Sequence, residues 1–452
     1  MLKTWNETIA EMARTEPKIR FTTLAHRLNP HTLTRAFKRL NRNTAPGPDG
    51  IRVEEYGQGL EARIDALWKR LKTQRYRASP AKRVYIPKPD GRRRPLAIPN
   101  VEDRIVQKAV AMVLEPIYEQ DFLDLSYGFR PDRSAKDAVE VVRKTIDKRP
   151  IRVVVDADIK GFFDNLDHKW LRAFLGHRIA DRGLLRVIGK FLNAGVVEDG
   201  HVQRGKKGCP QGGPLSPLLA NIYLHYVLDL WFEKRLSPHL KGESYLIRYA
   251  DDFIMCFEHP EDADEALSAL QERLSDFGLE LETAKSRMVQ FGTEQGPPGP
   301  GPGSQTFDFL GFTFYVRKRG ERGYRTATKV SQKSRHRFLR EARDWLKKHL
   351  HRSVWFHQEQ LRGKLRGFVQ YFGVRYSLST LRHIRRQLHW LWRRALIRRS
   401  QKAYLSWTTL KRKPWFKLPE VRLRESQRRS APAAKEVRPS AIPQLQLFPT
   451  KP

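Results

Sequence analysis

The feature that most limits how this chain can fold is a set of apolar segments broken by acids. Tyr245-Leu246-Ile247-Arg248-Tyr249-Ala250 reads as a strand, and Phe253-Ile254-Met255-Cys256-Phe257 as a second, with Asp251-Asp252 in the turn between them. A third β-branched segment, Arg152 to Ile159, also ends in carboxylates. Side chains alternate along a strand, so Asp156 and Asp158 share one face. Acids on neighbouring strands repel unless a cation lies between them. Magnesium suits that place, because it prefers oxygen and is usually held by one or two carboxylates plus phosphate oxygens. Two such ions about 4 Å apart can stabilise the attacking and leaving oxygens of an in-line phosphoryl displacement. An isolated Asp-Asp is more often a turn or cap, and only its flanking strands and the upstream acid lift this one above that reading. The residues alone leave open whether Asp156 or Asp158 joins the pair.

Charge narrows the partner. The 452 residues carry 86 Lys and Arg against 49 Asp and Glu, a formal +37. A field of that size draws polyanions, and nucleic acid leads because bound phosphates release counterions. The excess is spread over hundreds of residues, unlike a short membrane-surface helix. Cys209 and Cys256 are the two cysteines, too few for a disulfide framework or a cysteine-rich zinc module. No apolar run reaches the length of a spanning helix, and the N-terminus lacks a secretory apolar core. These features predict a soluble cytoplasmic protein with no membrane partner. The length predicts several domains.

Along the chain, residues 1–40 read as helix with a break at Asn29-Pro30, and 41–50 as a loop. Helix resumes over 53–75. Short strands at 83–87 and 94–98 flank the Pro89-Asp90-Gly91 turn. Helices are expected at 101–119, 167–176, 181–195, 217–235 and 261–276, and a strand at 307–316. Residues 293–305 are rich in Gly, Pro and Ser and read as a flexible insertion. From about 327 to 407 the pattern is helical only. Residues 316–412 hold 28 Lys or Arg against 4 Asp or Glu, interleaved with aromatics such as Trp345, Trp355, Tyr371 and Trp390. Residues 413–452 are Pro-rich and read as a disordered tail.

Tyr249-Ala250-Asp251-Asp252, with Asp158-Ile159-Lys160-Gly161-Phe162-Phe163 upstream, resembles the reverse transcriptases encoded by group II introns. The likeness is an ordered series. Tyr85 to Gly91 and Arg94-Pro95-Leu96 are similar to the fingers hairpin. Ser126-Tyr127-Gly128-Phe129-Arg130-Pro131 is similar to the next block. Gly208 to Pro217 is similar to the loop and helix beneath the nascent pair. Lys285, in Glu282-Thr283-Ala284-Lys285-Ser286, and Phe309-Leu310-Gly311-Phe312 are similar to the last palm blocks. Ala45 to Gly50 fits the N-terminal extension, and Leu365 to Phe372 the maturase domain.

The resemblance implies an α+β right-hand polymerase, with fingers and a palm built on an antiparallel sheet, followed by an all-α basic thumb and maturase domain. The expected divisions are an extension over 1–75, fingers and palm over 76–316, thumb over 317–412 and the tail. It favours Asp158 over Asp156. Asp158 and Asp251 are expected to bridge two Mg2+ ions (Mn2+ substituting), with Asp252 the third acid and the Ile159 carbonyl completing a shell. Lys88 and Arg94 are expected to clamp the triphosphate, and Phe163 to exclude a ribose 2′-hydroxyl. Gln211 and Gly212 should lie close to nucleotide and template, and Arg130 on the template. Lys285 either protonates pyrophosphate or supports its loop. Implied partners are dNTPs, an RNA template with DNA primer, and the parent intron RNA in a ribonucleoprotein whose splicing the protein assists. Residues 413–452 lack Cys and His, so the Cys- and His-rich endonuclease of mobile relatives is not expected in that segment. Two alternatives are a splicing cofactor with a vestigial polymerase and a reverse transcriptase domesticated for phage defence or DNA repair.

Overall fold

The computed structural model describes residues 4–87, 93–283, 286–291, 301, 303–318, 323–399 and 405–423. Among the described residues, eleven strands form three sheets. The first joins β1 (Ala81–Pro87), β2 (Arg93–Ile98), β4 (Val196–Glu198) and β5 (His201–Gln203) in the order β2-β1-β4-β5. The second joins β3 (Val153–Asp158), β6 (Ser244–Tyr249), β7 (Asp252–Phe257) and β8 (Arg287–Gln290) in the order β6-β7-β3-β8, antiparallel throughout. The third joins β9 (Phe307–Phe309), β10 (Phe312–Lys318) and β11 (Tyr324–Val330), with β10 in the middle.

The central sheet explains its own composition. Val153, Val155 and Ala157 of β3 enter one apolar cluster with Phe253, Met255 and Phe257 of β7. Val154 of β3, with Ile254 and Cys256 of β7, enters a second cluster on the opposite face. Burial on both faces demands an unbroken apolar run rather than alternation. The helices Val101–Asp121 and Ser216–Leu224 cover the first face, and Ala135–Lys148 contributes to the second. The helix expected over 217–235 is present, but π turns at His225–Asp229 and Phe232–Leu236 interrupt its ladder. Near the N-terminus, Asn29 caps the helix Pro30–Lys38, with Pro30 at its first position. The predicted break is therefore a helix start. The helix expected over 53–75 is split into Val53–Gly57 and Leu60–Lys72, with Gly59 at φ +70° between them.

The C-terminal third departs from an all-helical reading in two places. Strand β11 lies inside the stretch assigned to helices. Thr326, Thr328 and Val330 share one buried face, a period of two that the surrounding cations obscure. The helices Gln332–Lys348, Val354–Phe372 and Leu378–Ile397 then follow, with Leu346, Leu361, Leu388 and Trp392 in their shared core. The second departure is the start of the expected tail. Phe416, Leu418 and Val421 are buried, and the Gln358 amide donates to the carbonyls of Pro414 and Lys417. Arg385 donates to those of Leu418 and Pro419. Deleting 413–452 should therefore lower stability by several kcal/mol more than deleting 424–452, since each buried apolar side chain contributes roughly 1.5–3 kcal/mol. Thermal melts of the two truncations check this, and equal melting temperatures would refute it. Most of the Gly/Pro stretch at 293–305 lies outside the described residues, as do 424–452.

Candidate active site

Strand register brings the predicted acids together. Asp158, the last residue of β3, pairs directly with Asp252, the first of β7. Directly opposed residues of an antiparallel pair have Cα atoms about 4.5–5.5 Å apart, and like charges there destabilise the sheet. Asp251 occupies the two-residue turn with Ala250. Burial raises the Asp251 carboxyl above its ordinary range, and the charge of Asp158 pushes the same way. Arg94 and Arg248 oppose the rise, so Arg94 of the β1–β2 hairpin acts on the acid site across space. Asp156, the rival, pairs instead with Ile254 and with Arg287 of β8. The register therefore sets Asp158, rather than Asp156, against Asp252.

Among the described residues, no three acidic, histidine or cysteine side chains converge closely enough to hold an ion by themselves.

The turn is held by residues that sequence reasoning did not single out. Ala250 has φ +59°, a left-handed conformation that costs a non-glycine residue about 1 kcal/mol or more. The Arg248 guanidinium, with no exposure to solvent, donates to the Ala250 carbonyl at 3.0 Å and to Asn221 Oδ1 at 3.0 Å. It also grips both carboxylate oxygens of buried Asp229, at 2.7 and 2.5 Å. Asn221 in turn donates to the Gly128 carbonyl at 2.7 Å. Gly128 has no room for a side chain, because a Cβ there would lie 2.3 Å from the Ala250 nitrogen. Asp229 and Asn221 sit on the interrupted helix, so its π turn aims the carboxylate that anchors the hairpin. One signal was available in sequence: Arg248 is the lone cation in an otherwise apolar strand, and such a cation requires a buried partner.

The other predicted residues divide. Phe163 is 9% exposed and packs edge-on against Phe162 in the core. The Gln211 carbonyl accepts from Ala97 N of β2 at 2.6 Å. Gly212 has φ +122°, and a Cβ there would lie 2.5 Å from the Ala97 carbonyl. The loop is therefore glycine to dock on the β1–β2 hairpin, while Gly212 stays exposed. The Ile159 side chain is buried. Arg130 is not available to template. It is 6% exposed, pairs with Glu119 and donates to the carbonyls of Leu123 and Ser126, so it fastens its loop from inside. Lys88 and Lys285 lie outside the described residues.

A second turn borders the acids. Leu310 and Gly311, at φ +51° and +81°, join β9 to β10 as a tight hairpin. The Tyr371 hydroxyl donates to the Leu310 carbonyl at 3.2 Å, and Ser331 N donates to the Gly311 carbonyl. Burial raises the Tyr371 hydroxyl pKa, and Tyr249 and Asp252 raise it further.

Residues 86–314 match the family model described as reverse transcriptase (RNA-dependent DNA polymerase). Protein YkfC of Escherichia coli K12 is 33% identical over 291 residues, covering 57% of this chain and 76% of that protein. The group II intron-encoded protein LtrA of Lactococcus lactis subsp. cremoris is 39% identical over 209 residues, covering 45% of this chain and 34% of its own length. Nuclear intron maturase 2 of Arabidopsis thaliana mitochondria is 32% identical over 176 residues, 30% of this chain and 24% of that one. No helix among the described residues is long and apolar enough to cross a membrane. Acids opposed across β3 and β7, the hairpin that reaches them and the ordered motifs around them have one common explanation, and the chain belongs to the reverse transcriptase family, with group II intron-encoded proteins among its relatives.

Proposed function

We propose that this protein is an RNA-directed DNA polymerase that copies intron RNA into cDNA and assists the splicing of its own group II intron. The observation that carries the reading is Asp158 opposed to Asp252 beside the Asp251 turn, with Arg94 near enough to act on Asp251. Two Mg2+ ions, held by these acids and the Ile159 carbonyl, would supply activation of the primer hydroxyl and stabilisation of the departing pyrophosphate. The chain itself positions the reactants and neutralises charge. Arg94 binds the triphosphate, and Lys88 is assigned the same role. Gln211 and Gly212 bring backbone close to the nucleotide. Lys285 either protonates pyrophosphate or supports its loop.

The purified protein should extend a DNA primer on an RNA template when magnesium is supplied and stop when it is chelated. Tight binding of primed RNA without extension would favour the splicing-cofactor reading. Splicing assistance is tested separately, by adding protein to its intron transcript at low magnesium. The 28 Lys and Arg of 316–412 support such RNA binding through backbone and shape.

Phe163 is assigned as the ribose filter, because a large ring so soon after Asp158 in the chain would clash with a ribose 2′-hydroxyl. Phe163→Ala should raise ribonucleotide use relative to deoxyribonucleotide by roughly 10- to 100-fold in kcat/KM. An unchanged ratio would remove Phe163 from the nucleotide site.

A further inference from the structure

We propose that a cavity walled in part by the Gly208–Pro217 loop binds a small, neutral heteroaromatic molecule carrying one N–H donor, and that its occupancy slows synthesis. The effect on synthesis rests on the polymerase reading above, and the binding does not. The cavity measures about 430 Å³, within the range of small-ligand sites. Phe191 and Leu192 of the helix Arg182–Ala194 line it, with Leu219 and, from the loop, Pro210 and Gly213. Gln107 reaches it from the helix Val101–Asp121.

The lining defines the ligand. None of the described residues around the cavity is charged, although the chain as a whole carries +37. A phosphate, and with it a nucleotide, finds no counter-charge there, whereas a neutral apolar body leaves water at a gain. One polar group among these walls is unanswered. Gln107 is 8% exposed, and its Oε1 is buried with no hydrogen-bond partner among the described residues. A buried acceptor left unpaired costs free energy that a donor from water or a ligand restores. Gly213 leaves it room, since a Cβ there would lie 2.2 Å from Gln107 Oε1. The Ser216 hydroxyl, also in the lining, is already committed to the Pro210 carbonyl at 2.8 Å. An unpaired acceptor in an uncharged, mostly apolar cavity selects a donor on a neutral frame, and the Phe191 ring favours a flat one.

The loop links the cavity to synthesis. Gln211 and Gly212 meet Ala97 of β2, while Pro210 and Gly213, on either side of them in the chain, line the cavity. Gln211 and Gly212 are the residues assigned to the nucleotide. Gly212 has no slack against β2, where a Cβ would lie 2.5 Å from the Ala97 carbonyl. A ligand that presses on Pro210 and Gly213 therefore displaces the loop and hairpin together, because a packed contact transmits strain. It acts on turnover without taking the place of the nucleotide.

The test uses the full chain, with indole as the probe and indene as the same frame without the donor. Ligand-observed NMR should give indole a Kd of roughly 1 mM and indene a value about fivefold weaker. Gln107→Leu should bind the two alike and melt no lower than wild type, because the unpaired oxygen is gone. The wild-type comparison decides the matter if that variant does not fold. In primer extension on RNA, saturating indole should lower kcat by roughly threefold or more while the dNTP KM stays within about twofold. Equal binding of indole and indene by the wild type overturns the proposal, since the acceptor would take no part. So does an absence of indole binding at about 10 mM, which would leave the cavity to water. A dNTP KM that climbs with indole overturns it too, by placing the probe in the nucleotide site, and indole bound with synthesis unchanged overturns the link through the loop. If the wild type never extends primed RNA, the polymerase reading fails, while the indole and indene comparison still decides the cavity.

Discussion

Asp251→Ala should lower primer extension on RNA by at least about a thousandfold while leaving affinity for primed RNA within about twofold of wild type. The two effects separate because they arise in different parts of the molecule. In the proposed mechanism synthesis requires charge concentrated where oxygens attack and leave, the role assigned to Asp251 with Asp158 and Asp252. Affinity comes from many phosphate contacts, and the chain has 86 cations to make them. Removing one carboxylate beside Arg94 takes away repulsion toward phosphate rather than attraction. The fold should survive, because Asp251 lies in a turn and its burial already disfavours the charged form. Primer extension and filter binding on one preparation check both halves. Equal loss of extension and binding would mean that Asp251 is structural. Extension at wild-type rate would remove it from the chemistry and take the two-ion scheme with it.

The acids were legible in sequence because their chemistry admits few residue types. Carboxylates at the ends of strands buried on both faces have no packing reason to be there, so Asp158, Asp251 and Asp252 stood out. Their support did not. Arg130 and Arg248 look alike in a string of letters, each a cation in a short motif. Burial separates them from the surface arginines, and burial depends on which helices cover the sheet. The same limit hid β11, whose two-residue period is diluted by Arg325 and Lys329. It also hid residues 413–423, where a few apolar side chains in a polar stretch find a groove between helices only after those helices exist. Gly212 was legible by type, since its expected role needs a close backbone approach, but its contact with Ala97 of the neighbouring hairpin depends on packing that sequence does not show.

The second large effect concerns the pair beneath the catalytic turn. Arg248 and Asp229 are both fully buried, and each oxygen of the carboxylate meets a guanidinium nitrogen. Arg248→Met should destabilise the fold by about 3–5 kcal/mol, because it strands an uncompensated charge in the core. Arg248→Met combined with Asp229→Leu should recover most of that loss, since an apolar pair of similar volume replaces a buried ion pair at little net cost. The double variant should nevertheless extend primers poorly, by at least about tenfold. Neither methionine nor leucine can hold the Ala250 carbonyl or orient Asn221 toward Gly128, so the left-handed turn carrying Asp251 loses two of its constraints. Denaturant melts with extension assays on the singles and the double separate the two roles. A double variant with wild-type stability and wild-type synthesis would reduce the network to packing. A single Arg248→Met as stable as wild type would mean that the charge it leaves behind finds water, and that the turn is not sealed from below.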